Sequence, residues 1–194
     1  MEKKPAGAGK SSFDLIDRAS FFSRIKILPD AEVLDLACGA GIYSLAISPL
    51  LGEKGLIHAV DLWDEGIENL RKAIEERAIS NIDPIKADIT KHIPLESNSV
   101  DVCLMATILH DLSSEDQDSA LREVTRILKA EGTLAVIEFK KIDHGPGPPI
   151  RIRISEGDAK EIIKKYGFRK TWGGEIGEYN YMITFKNMLA ESGA

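Results

Sequence analysis

Val33-Leu-Asp-Leu-Ala-Cys-Gly-Ala-Gly-Ile-Tyr-Ser44 decides how this chain is read. An apolar run from Val33 to Ala37 meets Gly39 and Gly41, and Ile42 to Leu51 then has helix-like apolar content until Gly52 stops it. The pattern is a buried strand, a glycine turn and a helix. Glycine lets the backbone turn sharply there and lets a ligand approach with no Cβ in the way. A nucleotide-like ligand at the first strand-to-helix turn follows. The dinucleotide fingerprint G-x-G-x-x-G would need glycine at position 44, and the chain has Ser44, which weighs against NAD. Asp61 closes the next strand about 20 residues beyond Gly41, where a carboxylate can accept hydrogen bonds from both hydroxyls of a ribose. Leu62 and Trp63 could wall an adenine, or Trp63 could pack beneath the following helix.

The same unit repeats outward. Gly55 to Asp61 reads as a second strand, and Asp64 as the cap of a helix running to Ala78 with Ile67, Leu70 and Ile74 on one side. Ile82 to Asp88 gives a third strand and Val100 to Ala106 a fourth. Ser114 caps a helix carrying Ala120, Leu121, Val124, Ile127 and Leu128, and Gly132 to Phe139 is a fifth strand. After the Gly/Pro-rich loop Lys140 to Ile154, Ser155 caps a helix to Tyr166 that Gly167 ends. Strands alternating with helices demand crossovers, hence parallel pairing. Phe168 to Trp172 and Tyr179 to Phe185 have no helix between them and must pair antiparallel. The expectation is an α/β fold: a three-layer α/β/α Rossmann-like sandwich, with a mostly parallel seven-stranded sheet ending in an antiparallel C-terminal strand pair. Before it, residues 1–10 read as a loose arm. Residues 11–28 read as a helix capped by Ser11 or Ser12, with Leu15, Ile16, Ala19, Phe22, Ile25 and Ile27 on its apolar side and Pro29 forcing the exit.

A length of 194 residues with 43% hydrophobic and 29% charged side chains describes one soluble globular domain. No apolar run reaches the roughly 20 residues of a membrane span, and the first ten residues lack the apolar stretch of a signal peptide, so a cytoplasmic address and no membrane are expected. Cys38 and Cys103 make no disulfide framework, and no C-x-x-C or H-x-x-x-H spacing offers a metal site. The net charge of -6 opposes nucleic-acid binding, but it is uneven. Residues 30–139 carry 21 acids against nine bases, while residues 1–29 and 140–170 are net basic.

Asp35-x-Ala-Cys-Gly-x-Gly41, Val60-Asp61-Leu62, Ala87-Asp88-Ile89, Val100-Asp101-Val-Cys-Leu-Met-Ala106 and Arg126-Ile-Leu-Lys-Ala-Glu-Gly132, in this order and spacing, resemble the successive motifs of class I S-adenosylmethionine-dependent methyltransferases. More narrowly the chain is similar to their small type 11 branch, which includes the C-methyltransferases of quinone synthesis. The resemblance covers roughly residues 11–187, and its force lies in motif order, since each motif alone is weak. The expected division is a flexible N-terminal arm and lid helix over 1–28, an S-adenosylmethionine-dependent methyltransferase domain over 29–187 and a tail over 188–194. The resemblance also implies S-adenosylmethionine as cofactor. The backbone of Asp35, Ala37, Cys38, Gly39 and Gly41 would hold its methionine portion, Asp61 its ribose hydroxyls, and Leu62 and Ile89 its adenine ring. Asp88 would accept from the adenine amino group, and Ala106 with Thr107 would face the sulfonium and the acceptor. Ala37 departs from the pattern, standing where many members have glycine.

Methyl transfer from a sulfonium needs alignment more than functional groups, and a base only where the attacking atom must lose a proton. His110, in Thr107-Ile-Leu-His-Asp111 after the fourth strand, is the candidate catalytic base; the competing reading is a histidine that caps or packs at that turn. Lys140, Lys141, Arg151 and Arg153 could receive a carboxylate or phosphate, favouring a small-molecule substrate with an anionic group, or they form a solvated loop. Phe13, Phe21 and Phe22 could let the first helix cover the pocket as a lid or simply pack on the sheet. Two other functions fit the same pattern: an NAD-dependent oxidoreductase, and a non-catalytic S-adenosylmethionine-binding regulatory protein. Neither the acceptor atom nor the oligomeric state is written in the sequence.

Overall fold

The computed structural model describes residues 9–189. Of the expected arm over 1–10 only Gly9 and Lys10 fall within them, and of the tail over 188–194 only Met188 and Leu189. Seven strands form one sheet: β1 (Glu32–Leu36), β2 (Leu56–Asp61), β3 (Ile82–Lys86), β4 (Val100–Ala106), β5 (Leu128–Phe139), β6 (Phe168–Glu175) and β7 (Asn180–Asn187). Their order is β3-β2-β1-β4-β5-β7-β6. β1 to β5 pair in parallel, and β7 is antiparallel to both β5 and β6, as the missing crossover requires. Pro84 sits in β3, an edge strand, where the lost N–H breaks no central ladder.

Alternation along the strands builds two cores. Leu34, Leu36, Cys103, Met105, Leu134 and Val136 point to one face, where α4 (Ser114–Ile127) and α5 (Glu156–Lys164) cover them with Leu121, Val124, Ala159 and Ile163. Val33, Ile57, Ala59, Leu104, Ala135 and Ile137 point to the other, beneath α1 (Arg18–Arg24), α2 (Ile42–Ile47) and α3 (Asp64–Glu76). The sheet is thus buried on both sides, which is why its central strands read as continuous apolar runs. β1 leads left to β2 and β3 while β4 leads right to β5. The order reverses between β1 and β4, and the crevice beyond their carboxyl ends is where open α/β sheets bind ligands.

Several expected boundaries move. The helix expected over 11–28 is confined to α1, capped by Asp17, whose side chain accepts from Ser20 N, rather than by Ser11 or Ser12. Residues 12–16 form turns instead, because Leu15 N donates to Ser12 O and Asp17 N to Ile176 O. Phe21, not Phe22, is the fully buried ring of α1, and Phe13, Ile16 and Ile25 join it in the core. α2 ends at Ile47 and continues only as a 3-10 turn over Ser48–Leu50, since Pro49 cannot continue an α-helix. Asp64 is the first residue of α3 and not its cap, which is Trp63. Ser113 caps α4, one residue before the expected Ser114, while Ser155 caps α5 as expected. β5 starts at Leu128 rather than Gly132, because Leu128 pairs with Val100 ahead of a register shift.

Candidate functional site

The turn after β1 is held in left-handed backbone at three points, Ala37 (φ 61°), Gly39 (φ 58°) and Gly41 (φ 71°). The two glycines do different work. A Cβ on Gly41 would strike the Leu70 side chain of α3 at 2.5 Å, so this glycine lets helix and turn close on each other. A Cβ on Gly39 would meet nothing within 4 Å, so this glycine leaves open space over the turn. Ala37 adopts the same hand with a side chain, at about 1–2 kcal/mol, which explains why glycine suits the position.

Carboxylates brace this turn. Asp35 is 1% exposed, and its Oδ2 accepts from Ser44 N at 3.1 Å and Ser44 Oγ at 2.6 Å. Burial pushes its pKa up to about 6, against the opposing Ser44 hydrogen bonds. The chain therefore fills the N-terminal turn of α2 with its own carboxylate, the position at which a dinucleotide would place its pyrophosphate. This is the physical content of Ser44 replacing the third glycine. At the end of β2, Asp61 accepts from Gly39 N through Oδ2 and from Trp63 N through Oδ1, both at 2.7 Å. Two single bonds leave each oxygen a lone pair for a ligand hydroxyl. At the end of β3, Asp88 accepts from Thr90 N and Oγ1 and pairs with Lys91 at 3.1 Å; although its burial acts the other way, these partners lower its pKa.

Leu62, 46% exposed, stands beside Asp61, and Ile89 is buried next to Asp88. Trp63 is spent on packing, since a Cβ on Gly66 of α3 would collide with its ring. Cys38 lies half-buried in the turn, and burial first, then the Asp35 and Asp61 charges, push its thiol well above the ordinary range. Ala106 ends β4 beside this turn. Thr107 follows at φ 55°, an outlier for a β-branched residue, with its N–H given to Ile137 O at 2.8 Å. The rim thus has an open cradle over Gly39, carboxylate acceptors at Asp61 and Asp88, and apolar side chains at Leu62 and Ile89. This set fits S-adenosylmethionine, which brings a positive sulfonium and ribose hydroxyls, better than it fits a diphosphate.

Past β4 the chain makes a 3-10 turn over Leu109–Asp111 that carries His110 inward. His110 Nδ1 lies 2.6 Å from Glu138 Oε2, and His110 N donates to Glu138 Oε1 at 3.3 Å. Glu138, next to last in β5, is completely buried, and the His110 side chain is 5% exposed. Asp111 Oδ1 is 3.6 Å from His110 Nε2, beyond hydrogen-bond length, so the partner is Glu138 rather than the sequence neighbour. Burial works against the imidazolium, but the Glu138 hydrogen bond and charge, with Asp111 assisting and Arg153 opposing, win and raise the His110 pKa. No local sequence pattern pairs Glu138 with His110; its one signal is an acid at a core-facing position of Val136-Ile-Glu-Phe139.

The four loop cations do not form one cluster. Arg153 is turned inward, donating to the carbonyls of Pro148, Lys140, Ile142 and Pro146, and so it shapes the loop. Lys140 pairs with Glu175 at 3.0 Å. Lys141 and Arg151 remain exposed. Among the described residues no helix is long and apolar enough to cross a membrane.

A family model described as a methyltransferase domain matches residues 33–132. The ubiquinone/menaquinone biosynthesis C-methyltransferase UbiE of Shewanella sediminis is 30% identical over 85% of this chain and 66% of its own length. The corresponding protein of Shewanella oneidensis is 35% identical, over 60% of this chain and 45% of its own length. The chain therefore spans about half to two thirds of these curated relatives. Among solved structures, a SAM-dependent methyltransferase from Aquifex aeolicus is 29% identical with a TM-score of 0.84, covering 91% of this chain and 93% of that one. The cyclase SpnF shares the fold alone, at 18% identity and a TM-score of 0.75 over 89% of this chain and 80% of its own. Motif order, the braced glycine turn, the seven-stranded topology and the matched domain agree: the chain belongs to the class I S-adenosylmethionine-dependent methyltransferases, in their type 11 branch, with S-adenosylmethionine as its cofactor.

Proposed function

We propose that this chain moves a methyl group from S-adenosylmethionine to a small-molecule acceptor by in-line displacement, with His110 as the base. The single observation that carries the reading is the shared rim. The open turn at Gly39, braced by Asp35 and Asp61, and the buried His110 follow the adjacent strands β1 and β4, at the sheet's reversal point. Bound S-adenosylmethionine supplies an activated methyl and its own leaving group, so the protein's share is alignment and proton handling. Asp61 would fix the ribose, Leu62 and Ile89 would flank the adenine, and Asp88 would take its amino group. Ala37, Cys38, Gly39 and Gly41 would give backbone contacts to the methionine portion, with Ala106 beside the reacting centre. Exposed Lys141 and Arg151 suit an acceptor with an anionic group. The Shewanella relatives' names make a quinone precursor the first acceptor to try.

Incubation with methyl-labelled S-adenosylmethionine and a small-metabolite extract tests the function. Label in a small organic product is expected. Tight cofactor binding with no transfer to any acceptor would instead favour a regulatory binder, a use the same fold permits.

A further inference from the structure

His110 and Glu138 are separated by 28 residues, yet both carboxylate oxygens of Glu138 address His110, one its ring and one its own backbone N–H. The carboxylate is enclosed in the sheet, and the Glu138 carbonyl in turn receives Asn180 Nδ2 of β7 at 3.4 Å. A carboxylate can only accept, so Nδ1 is the protonated nitrogen of the neutral ring. That leaves the lone pair on Nε2, which among the described residues has no hydrogen-bond partner, its neighbour being Asp111 Oδ1 at 3.6 Å. We propose that Glu138 is the positioning residue that fixes His110 in the tautomer whose Nε2 accepts a proton, and that the acceptor is accordingly a protic nucleophile. This rests on the methyl-transfer reading above for its chemistry, though not for its geometry.

The balance of the step defines the acceptor class. The X–H bond of the acceptor breaks with its electron pair left on X, and the proton passes to Nε2 and then to water. X bonds to the methyl carbon as the carbon–sulfur pair returns to sulfur. A neutral acceptor such as a phenol, enol, primary or secondary amine or thiol therefore releases one proton per methyl. A thioether or tertiary amine would release none and would have no use for the pair.

The groups facing His110 are Glu138 on β5, Asp111 on its own turn, Arg153 behind the loop after β5, and the Phe139 ring at 6.2 Å. Among the described residues, only Glu138 touches the ring nitrogens at hydrogen-bond length. Imidazole nitrogen NMR on the full chain, without cofactor or acceptor, reads the dyad directly. His110 should titrate above 6.5 and be Nδ1-protonated when neutral. An Nε2-protonated ring, or titration at or below 6.5, overturns the proposal even if no variant folds. In Glu138→Gln the His110 titration should fall, because the largest raising influence is removed. The acid limb of the transfer rate should move down with it, and kcat should drop about tenfold or more with little change in KM for the cofactor. Glu138→Asp, which keeps the charge, should hold the limb nearer its original place. A limb and a titration that ignore Glu138→Gln would reduce the pair to a structural contact. Absence of transfer with every acceptor would defeat the functional reading and leave the ring titration standing, so the two failures are separable.

Discussion

The two halves of the ligand rim are built by different means. On the β1–β2 side the braces converge on one turn: Asp35 reaches Ser44 across it, and Asp61, from the neighbouring strand β2, reaches Gly39 within it as well as Trp63. Backbone N–H groups, joined by the Ser44 hydroxyl, are the partners, so the geometry follows from the turn. On the β4–β5 side a histidine and a glutamate 28 residues apart meet only because β4 and β5 are neighbours in the sheet. There a side-chain ring meets a wholly buried carboxylate, with the His110 N–H as a second anchor. The first half is suited to holding a ligand in a shape the backbone dictates, the second to holding a proton at a chosen nitrogen.

The sharpest way to separate the halves is His110→Asn, whose amide can still donate to Glu138 and avoids stranding a buried carboxylate. The expectation is a fall in kcat of about 100- to 10,000-fold, with affinity for S-adenosylhomocysteine within about twofold, read by steady-state kinetics and calorimetry. Unchanged turnover would remove His110 from the mechanism. A smaller effect contrasts two glycines of one turn. Gly41→Ala should cost roughly 2–4 kcal/mol of stability, from left-handed strain plus the collision with Leu70. Gly39→Ala should cost only about 1–2 kcal/mol yet weaken cofactor binding about tenfold or more, if the open space its Cβ enters is where the proposed cofactor lies. Thermal melts and calorimetry on the two variants test this, and equal losses in both would mean that Gly39 does not face the ligand.

The second half has a pH behaviour of its own, set by His110. Because the folded pKa of His110 lies above its unfolded value near 6.5, its pairing with Glu138 stabilises the fold fully below 6.5. That contribution is lost as pH rises through the folded pKa. With His110 as the proposed base, the same loss of a proton would free Nε2, so a pH–rate profile should show activity rising where this small stabilisation ends.

Legibility in the sequence follows the same division. The seven strands, their parallel and antiparallel pairings and the braced turn could be read because apolar runs, glycines and the absence of a helix after Phe168 are local signals. Ser44 could be read as opposing a dinucleotide, but not as the partner of Asp35 that makes it so. Glu138 could not be paired with His110, since strand adjacency is a tertiary fact. Arg153 looked like a surface cation until the loop's own carbonyls enclosed it. The first helix shrank to α1 because Asp17 and the carbonyl of Ile176 compete for the chain before it, a choice that propensity does not foresee.

Calorimetric titration of S-adenosylhomocysteine and of NAD into the wild-type chain and Asp61→Ala tests the central claim most directly. The account predicts that S-adenosylhomocysteine binds the wild type, that Asp61→Ala weakens it roughly 100-fold, and that NAD binds neither. Binding of NAD in place of S-adenosylhomocysteine, or indifference of the latter to Asp61, would contradict it.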